Sequence, residues 1–269
     1  MIRQNLHTHT VFDDGKNTPA EMAQAALDAG LSSLGFSGHS VLPYENEWSM
    51  TMEGEADFRA AVAETKAAFA GRLSIYRGLE WDLLSAPPAD YDYVIGSIHH
   101  IPVPGGFVSA DESPDTTKDA VGRCFGSDPA AMAEAYFVQF ETLAEKRFVD
   151  IVGHFDLVTK FDERANIFDP TSPRYLDAAM AGLDALLRAD KLFEVNTGAI
   201  ARGWRTTPYP APDLLRELRR RSARVLVTAD AHSADAVACA FPAMEELLRS
   251  LGFRERWELG PEGFFPIML

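Results

Sequence analysis

Seven histidines fall in five short segments: NLHTHT (His7, His9), GFSGHS (His39), GSIHH (His99, His100), IVGHFD (His154) and VTADAH (His232). Every segment closes an apolar or β-branched run, most have a carboxylate nearby, and the helical stretches contain no histidine. Imidazole and carboxylate are the side chains that bind Zn, Mn or Fe. Recurrence at the ends of strands therefore points to one shared metal site. His7 and His9 stand two apart on a strand, so both face the same way and can grip one cation. Asp14, in FDDGK, leaves the same strand end. Glu80 in YRGLEWD and Asp230 in LVTAD each finish an apolar strand. A carboxylate there is costly unless a cation or hydrogen bonds receive it. Taken singly, Asp230 could cap a helix starting near Ala234 and Glu80 could pair with an arginine. Taken together, the set makes one common metal site the more plausible reading.

Elements must bring these residues together. Strands are expected at Ile2–His9, Ser33–His39, Leu73–Glu80, Tyr93–His99, Asp150–His154, Leu192–Asn196 and Arg224–Asp230. Amphipathic helical patterns alternate with them at Thr18–Ala29, Glu55–Ala70, Pro129–Lys146, Pro173–Ala189, Ala211–Arg221 and Ala234–Leu251. Thr18-Pro19 and Asp128-Pro129 read as an N-cap followed by proline, and Gly30 as a helix terminator. Alternation of this kind predicts parallel β-structure built from right-handed βαβ units. Seven strands suit a closed sheet, a distorted (β/α)7 TIM-like barrel, with functional groups at the C-terminal strand ends. One domain is expected over residues 1–269, with Pro102–Ser127 as a long mouth loop acting as a lid. Gly35 and Gly38, behind His39, are expected to leave room at that mouth.

Composition narrows the function. The chain has 269 residues, and 46% of them are apolar, enough for a large core. No apolar run approaches a membrane span, and MIRQNLHTHT lacks the pattern of a signal peptide. Cys124 and Cys239 share no metal or redox spacing, so a reducing cytoplasm is expected. The net charge of −15, from 25 Lys and Arg against 40 Asp and Glu, repels polynucleotides. The basic run RELRRRSAR reads as an exposed helix face. The expected partner is a small molecule, neither nucleic acid nor membrane, and oligomeric state is not legible.

In the order HTHT, GFSGH, GLEWD, GSIHH, VGH and TADAH, the motifs resemble those of the PHP (polymerase and histidinol phosphatase) superfamily. DGKNTP, DYVIGSIHHI and EVNTG further resemble its stand-alone histidinol-phosphate phosphatase branch. The resemblance implies a seven-stranded PHP barrel with two to three divalent metal ions (Zn, Mn or Fe) at its mouth. It implies one ion on His7, His9, Glu80 and Asp230, and a second sharing Glu80 with His99 and His154. A third would lie on Asp14, His39 and His232, leaving His100 spare, and strand alternation would turn His100 away. The implied reaction is hydrolysis of L-histidinol phosphate, in histidine biosynthesis, by a hydroxide that the metals activate.

Glu80, Asp156 and His232 are the catalytic candidates, with Asp156 or the metal-free His100 protonating the leaving alkoxide. Arg202, in EVNTGAIARGW, is the phosphate-binding arginine the resemblance implies, with Arg205 able to substitute and Lys160 a second cation. Glu45, Glu47 and Trp48 are candidates for the amine and imidazole of histidinol. Gly38 stands where the branch has an acidic residue, and GLEWDLL differs after the glutamate; both alter the surroundings of the site. The rival expectations are a PHP phosphoesterase acting on nucleotides or oligonucleotide ends, and a non-catalytic metal-binding module.

Overall fold

The computed structural model describes residues 1–269. The seven expected strands form one parallel sheet: β1 (Gln4–Asn5), β2 (Ser33–Phe36), β3 (Ser74–Asp82), β4 (Tyr93–Ser97), β5 (Ile151–Val152), β6 (Leu192–Asn196) and β7 (Val225–Thr228). Neighbours in the sheet follow chain order, and all pair in parallel. The first and last strands meet beyond their ladders. His9 N donates to Ala231 O at 2.9 Å and Ala231 N to His7 O at 3.1 Å. The sheet is thus nearly closed into an α/β barrel, and the histidine segments gather at its C-terminal rim.

Helices cover the outside because each presents an apolar stripe. In Pro173–Arg188, Tyr175, Ala179, Leu183 and Leu186 are buried at helical spacing. The expected start signals are realised. Thr18 and Glu21 form a reciprocal capping box, and Asp128 accepts from Ala130 N and Ala131 N. The main core of 53 buried residues lies between strands and helices. A smaller cluster of Leu6, Tyr93, Ile95, Ile151, Leu192, Leu226 and Leu259 fills the barrel itself.

Tyr93 explains two glycines. Its hydroxyl donates to Leu6 O across the barrel. A Cβ at Gly35 or Gly78 would stand 2.2 or 2.1 Å from its side chain. Gly35 therefore makes space inside the barrel, not at the mouth.

Several boundaries differ from expectation. Five of the strands are shorter, since the chain leaves the ladder before most histidines: β2 ends at Phe36 and β4 at Ser97, whereas β3 runs on to Asp82 and β6 keeps its expected bounds. Residues 102–127 are not a plain loop. They complete a hairpin, His100–Val103 with Gly106–Ser109, and form the helix Pro114–Cys124 capped by Ser113. The pattern at Pro129–Lys146 divides into helices Pro129–Phe137 and Gln139–Ala144, and only Phe241–Ser250 of Ala234–Leu251 is α-helical. A second hairpin, Glu255–Gly260 with Gly263–Met268, sits under the opposite end of the barrel, where Gln4 bonds both backbone groups of Leu259. No helix is long and apolar enough to cross a membrane.

Candidate metal centre

Glu80 is the hub of the rim. It lies near the end of β3, 1% exposed, and its two oxygens face different neighbours. Oε1 accepts from Ser97 Oγ at 2.7 Å and lies 2.9 Å from His154 Nε2 and 3.4 Å from His99 Nε2. Oε2 lies 2.9 Å from His39 Nδ1, 3.2 Å from His7 Nε2 and 3.5 Å from His9 Nε2, yet makes no hydrogen bond. His7 Nε2 and His9 Nε2 are likewise buried without a hydrogen-bond partner. Orphaned buried polar atoms are rare and costly. Three converging on one point are explained by a cation between them.

Donor atoms gather in three overlapping groups: His7, His9 and Asp230; His39, Glu80 and His99; and His9, Asp14, His39 and His232. Within each group the atoms lie within 4.8 Å of one another. His154 joins the second through Glu80 Oε1. Asp230 Oδ1 stands 3.2 Å from His9 Nε2, and Asp14 Oδ2 stands 3.2 Å from His232 Nε2. All nine metal-ligand candidates therefore meet at one mouth, and the mixed nitrogen and oxygen donors fit divalent ions. Asp230 reaches it from a left-handed backbone (φ 47°), a strained state for a residue with a side chain. Gly198 leaves space beside it, because a Cβ there would stand 2.5 Å from Asp230 Oδ2.

The electrostatics favour cations. Burial alone would keep the His7 ring neutral, but Glu194, Glu80 and Asp230 outweigh it and raise its pKa well above the usual imidazole value. His9 is opposed by burial and supported by Asp13, and rises to about 10. Burial would raise the Glu80 pKa, but the surrounding imidazoles pull it well below the carboxylate range. Metal uptake at His7 and His9 therefore competes with protons for the same ring nitrogens.

Carboxylates behind the imidazoles complete the design. Glu194 Oε2 holds His7 Nδ1 at 2.9 Å, Asp13 Oδ2 holds His9 Nδ1 at 2.6 Å, and Asp82 Oδ2 holds His99 Nδ1 at 3.1 Å. Each fixes the ring proton on Nδ1 and turns the Nε2 lone pair toward the centre. These three were not among the expected site residues. The rule that picked out Glu80, a carboxylate within an apolar strand, applies equally to Glu194 in LFEVN, and Asp82 shares the Glu80 face two residues on. Asp13 also donates its carboxylate to the space over Gly38, accepting from His39 N at 3.0 Å. The acidic group absent at position 38 is thus supplied from another loop.

Other expectations need correction. His100 is not turned away. The strand ends at Ser97, so alternation lapses, and His100 lines the mouth with Nδ1 3.1 Å from Asp82 and Nε2 2.6 Å from Tyr44 Oη. Asp156 is not at the mouth. It is buried on Arg205 Nη1 (3.3 Å) and Ala211 N (3.1 Å), so it cannot reach a leaving group. The same pair removes Arg205 as the phosphate arginine. Arg202 does line the mouth, with Nη2 3.0 Å from Asp230 Oδ2 and Nη1 2.9 Å from His232 Nδ1. Lys160 lines it too, held by Asp111 at 2.8 Å, and lowers the Asp111 pKa to about 2 against the effect of burial. Of the loop after β2, Trp48 borders the mouth while Glu45 and Glu47 do not. The cavity measures about 750 Å³.

Near Arg205, Asp162 carries a testable strain. Oδ1 accepts from Ile167 N and Phe168 N, but Oδ2 is buried without a partner, and burial raises its pKa to about 6. A folded pKa above the unfolded value gives stability that is complete at low pH and lost as pH rises through about 6. Asp162→Asn keeps the acceptor and removes the charge. The variant should melt a few degrees above the parent at alkaline pH, the gap closing below about pH 4. Thermal melts across pH check this, and a gap that does not change with pH would contradict it.

The comparisons with known proteins agree with this geometry. The model of the PHP domain family matches residues 5–198. A protein of Deinococcus radiodurans named "probable histidinol-phosphatase" is 32% identical over 263 residues, 92% of this chain and 93% of that one. Histidinol-phosphatase of Bacillus subtilis is 24% identical over 270 residues, covering 91% of this chain and 99% of its own. Among solved structures, histidinol phosphate phosphatase of Lactococcus lactis, complexed with zinc, L-histidinol and phosphate, superposes with a TM-score of 0.69 at 18% identity. The match covers 98% of each chain.

Proposed function

The chain belongs to the PHP domain family, and on that premise we propose that it is a metal-dependent phosphatase hydrolysing L-histidinol phosphate to L-histidinol and phosphate. The observation that carries the reading is the convergence of three unsatisfied buried atoms, His7 Nε2, His9 Nε2 and Glu80 Oε2, within a ring of further imidazoles and carboxylates. The names of its relatives support the substrate.

His7, His9, Glu80 and Asp230 would hold one ion, Glu80 shared with His99 and His154 a second, and Asp14, His39 and His232 a third. Two or three divalent ions (zinc, manganese or iron) bound there would supply positive charge to the phosphoryl oxygens and lower the pKa of a water molecule. The protein's part is to fix those donors, to exclude alternative ring tautomers through Glu194, Asp13 and Asp82, and to orient the phosphate. Glu80 and His232 face the reacting end of the cavity. Arg202, across the same mouth, presents a fork that can bind two phosphoryl oxygens. Lys160 adds a point charge on another side.

The cations of the mouth are each committed to a carboxylate: Arg202 to Asp230, Lys160 to Asp111 and Arg123 to Asp119. That pairing supports a small, singly phosphorylated substrate over a polynucleotide end, which needs an uncommitted basic track. The test is phosphate release by metal-loaded protein from histidinol phosphate, nucleoside monophosphates and short 5′-phosphorylated DNA. Histidinol phosphate should be the preferred substrate, and preference for DNA ends would overturn the reading. Arg202→Ala should lower kcat/KM by about 10²-fold, since it removes a preorganised charge from the phosphoryl group. Steady-state kinetics check this, and an unchanged value would remove Arg202 from phosphate binding.

A further inference from the structure

Tyr44, in the loop after β2, is joined to a metal-site histidine by three hydrogen bonds in series. Its Oη lies 2.6 Å from His100 Nε2, and His100 Nδ1 lies 3.1 Å from Asp82 Oδ2. The same carboxylate oxygen lies 3.1 Å from His99 Nδ1. The protons along this line follow from its members. A carboxylate only accepts, so both rings carry a proton on Nδ1. His100 Nε2 is then the acceptor and the hydroxyl of Tyr44 the donor. Burial raises the Tyr44 pKa to about 12, so the phenol keeps that proton. At the inner end, His99 Nε2 is left with its lone pair toward Glu80 Oε1, 3.4 Å away.

The outer end is ordered as well. Asn46 Nδ2 donates to Tyr44 O at 3.2 Å and to Ser49 Oγ at 2.9 Å, while Oδ1 accepts from Trp48 N and Ser49 N. Those bonds fold the loop on itself. The Tyr44 hydroxyl ties the folded loop to His100, and through Asp82 to the orientation of the His99 ring. Trp48 offers a second route, since its ring lies 4.7 Å from that of His39 and 5.5 Å from that of His99.

We propose that Tyr44 and His100 are positioning residues that couple docking of this loop to occupancy of the metal site at His99. The inference rests on the metal reading of that site and is independent of the substrate. Linkage makes the coupling reciprocal: the docked loop tightens the metal by the factor by which the metal tightens the loop. One net hydrogen bond corresponds to a factor of about five.

The test uses the full protein with two variants. Tyr44→Phe loses the hydroxyl alone. His100→Asn keeps an amide donor for Asp82 and loses the nitrogen that faces Tyr44. Zinc affinity is read by competition with a chelator, the binding step absent from His99→Ala marking the site concerned. Docking is read by the rate at which a glutamate-specific protease cuts after the exposed Glu45 and Glu47, with and without zinc. In both variants, zinc affinity at that site and the protection that zinc gives the loop should each fall about fivefold. Parental affinity and protection in both variants would leave the coupling to Trp48 and overturn the proposal. So would a loss of affinity with full protection, which breaks the reciprocity. A parent that takes up no zinc would overturn the metal reading and the coupling with it. A parent that binds zinc but cleaves no phosphate ester would overturn only the phosphatase reading, and the same two measurements would still decide the coupling.

Discussion

Glu80→Gln is expected to cut phosphate release at least about 10³-fold, about 4 kcal/mol in the barrier, and to lower bound metal. The amide keeps the shape of the side chain and can still accept from Ser97. It cannot offer two anionic oxygens, and Glu80 uses one toward His99 and His154 and the other toward His7, His9 and His39. An amide NH₂ facing either group would meet imidazole lone pairs and take them from the metals. Metal content per chain and turnover are measured on the same preparation. Unchanged values for both would sink the bridging role.

Glu194→Gln is expected to weaken metal binding by about 10–100-fold without touching a metal. Oε1 accepts from His154 N at 2.6 Å and Asn196 Nδ2 at 2.8 Å, and Oε2 accepts from His7 Nδ1 at 2.9 Å and Thr228 Oγ1 at 2.8 Å. Four donors surround one fully buried carboxylate. An amide has one acceptor oxygen, so in either orientation its NH₂ opposes a donor. Turned toward His7, it shifts the ring proton to Nε2 and blocks the lone pair that faces the centre. Turned toward His154, it leaves a backbone N–H unsatisfied. Competition with a chelator reads the affinity, and nitrogen NMR reads the His7 tautomer. Parental affinity with an altered tautomer would show that ring orientation does not control the site.

Much of this was readable in the residues. Period 2 placed His7 and His9 on one face, and apolar strands ending in Glu80 and Asp230 marked the carboxylates. The barrel followed from alternation. What escaped depended on approach through space. Glu194 lies 187 residues from His7 in the chain, and its role exists only once β6 packs beside β5 and β7. Strand alternation does not predict the side of His100, because period 2 holds only while the ladder continues and β4 stops at Ser97. Proximity in sequence to His154 does not place Asp156 at the mouth, because it turns inward to Arg205 from another loop. The rim hairpin has a sequence signal of its own. Gly105-Gly106 lies between apolar residues, and Ser113-Pro114 opens a helix as Thr18-Pro19 does. Glycine and proline content suggested a loop where those same residues build turns.

The central claim is that this ring of imidazoles and carboxylates is a multinuclear hydrolytic centre. It is tested most directly by stripping the protein with a chelator and adding metal back while following phosphate release from L-histidinol phosphate. The stripped protein should be inactive, and the rate should climb to a plateau at two to three equivalents of zinc, manganese or iron. Release that survives stripping, or a fully loaded protein that leaves the ester intact, would contradict it.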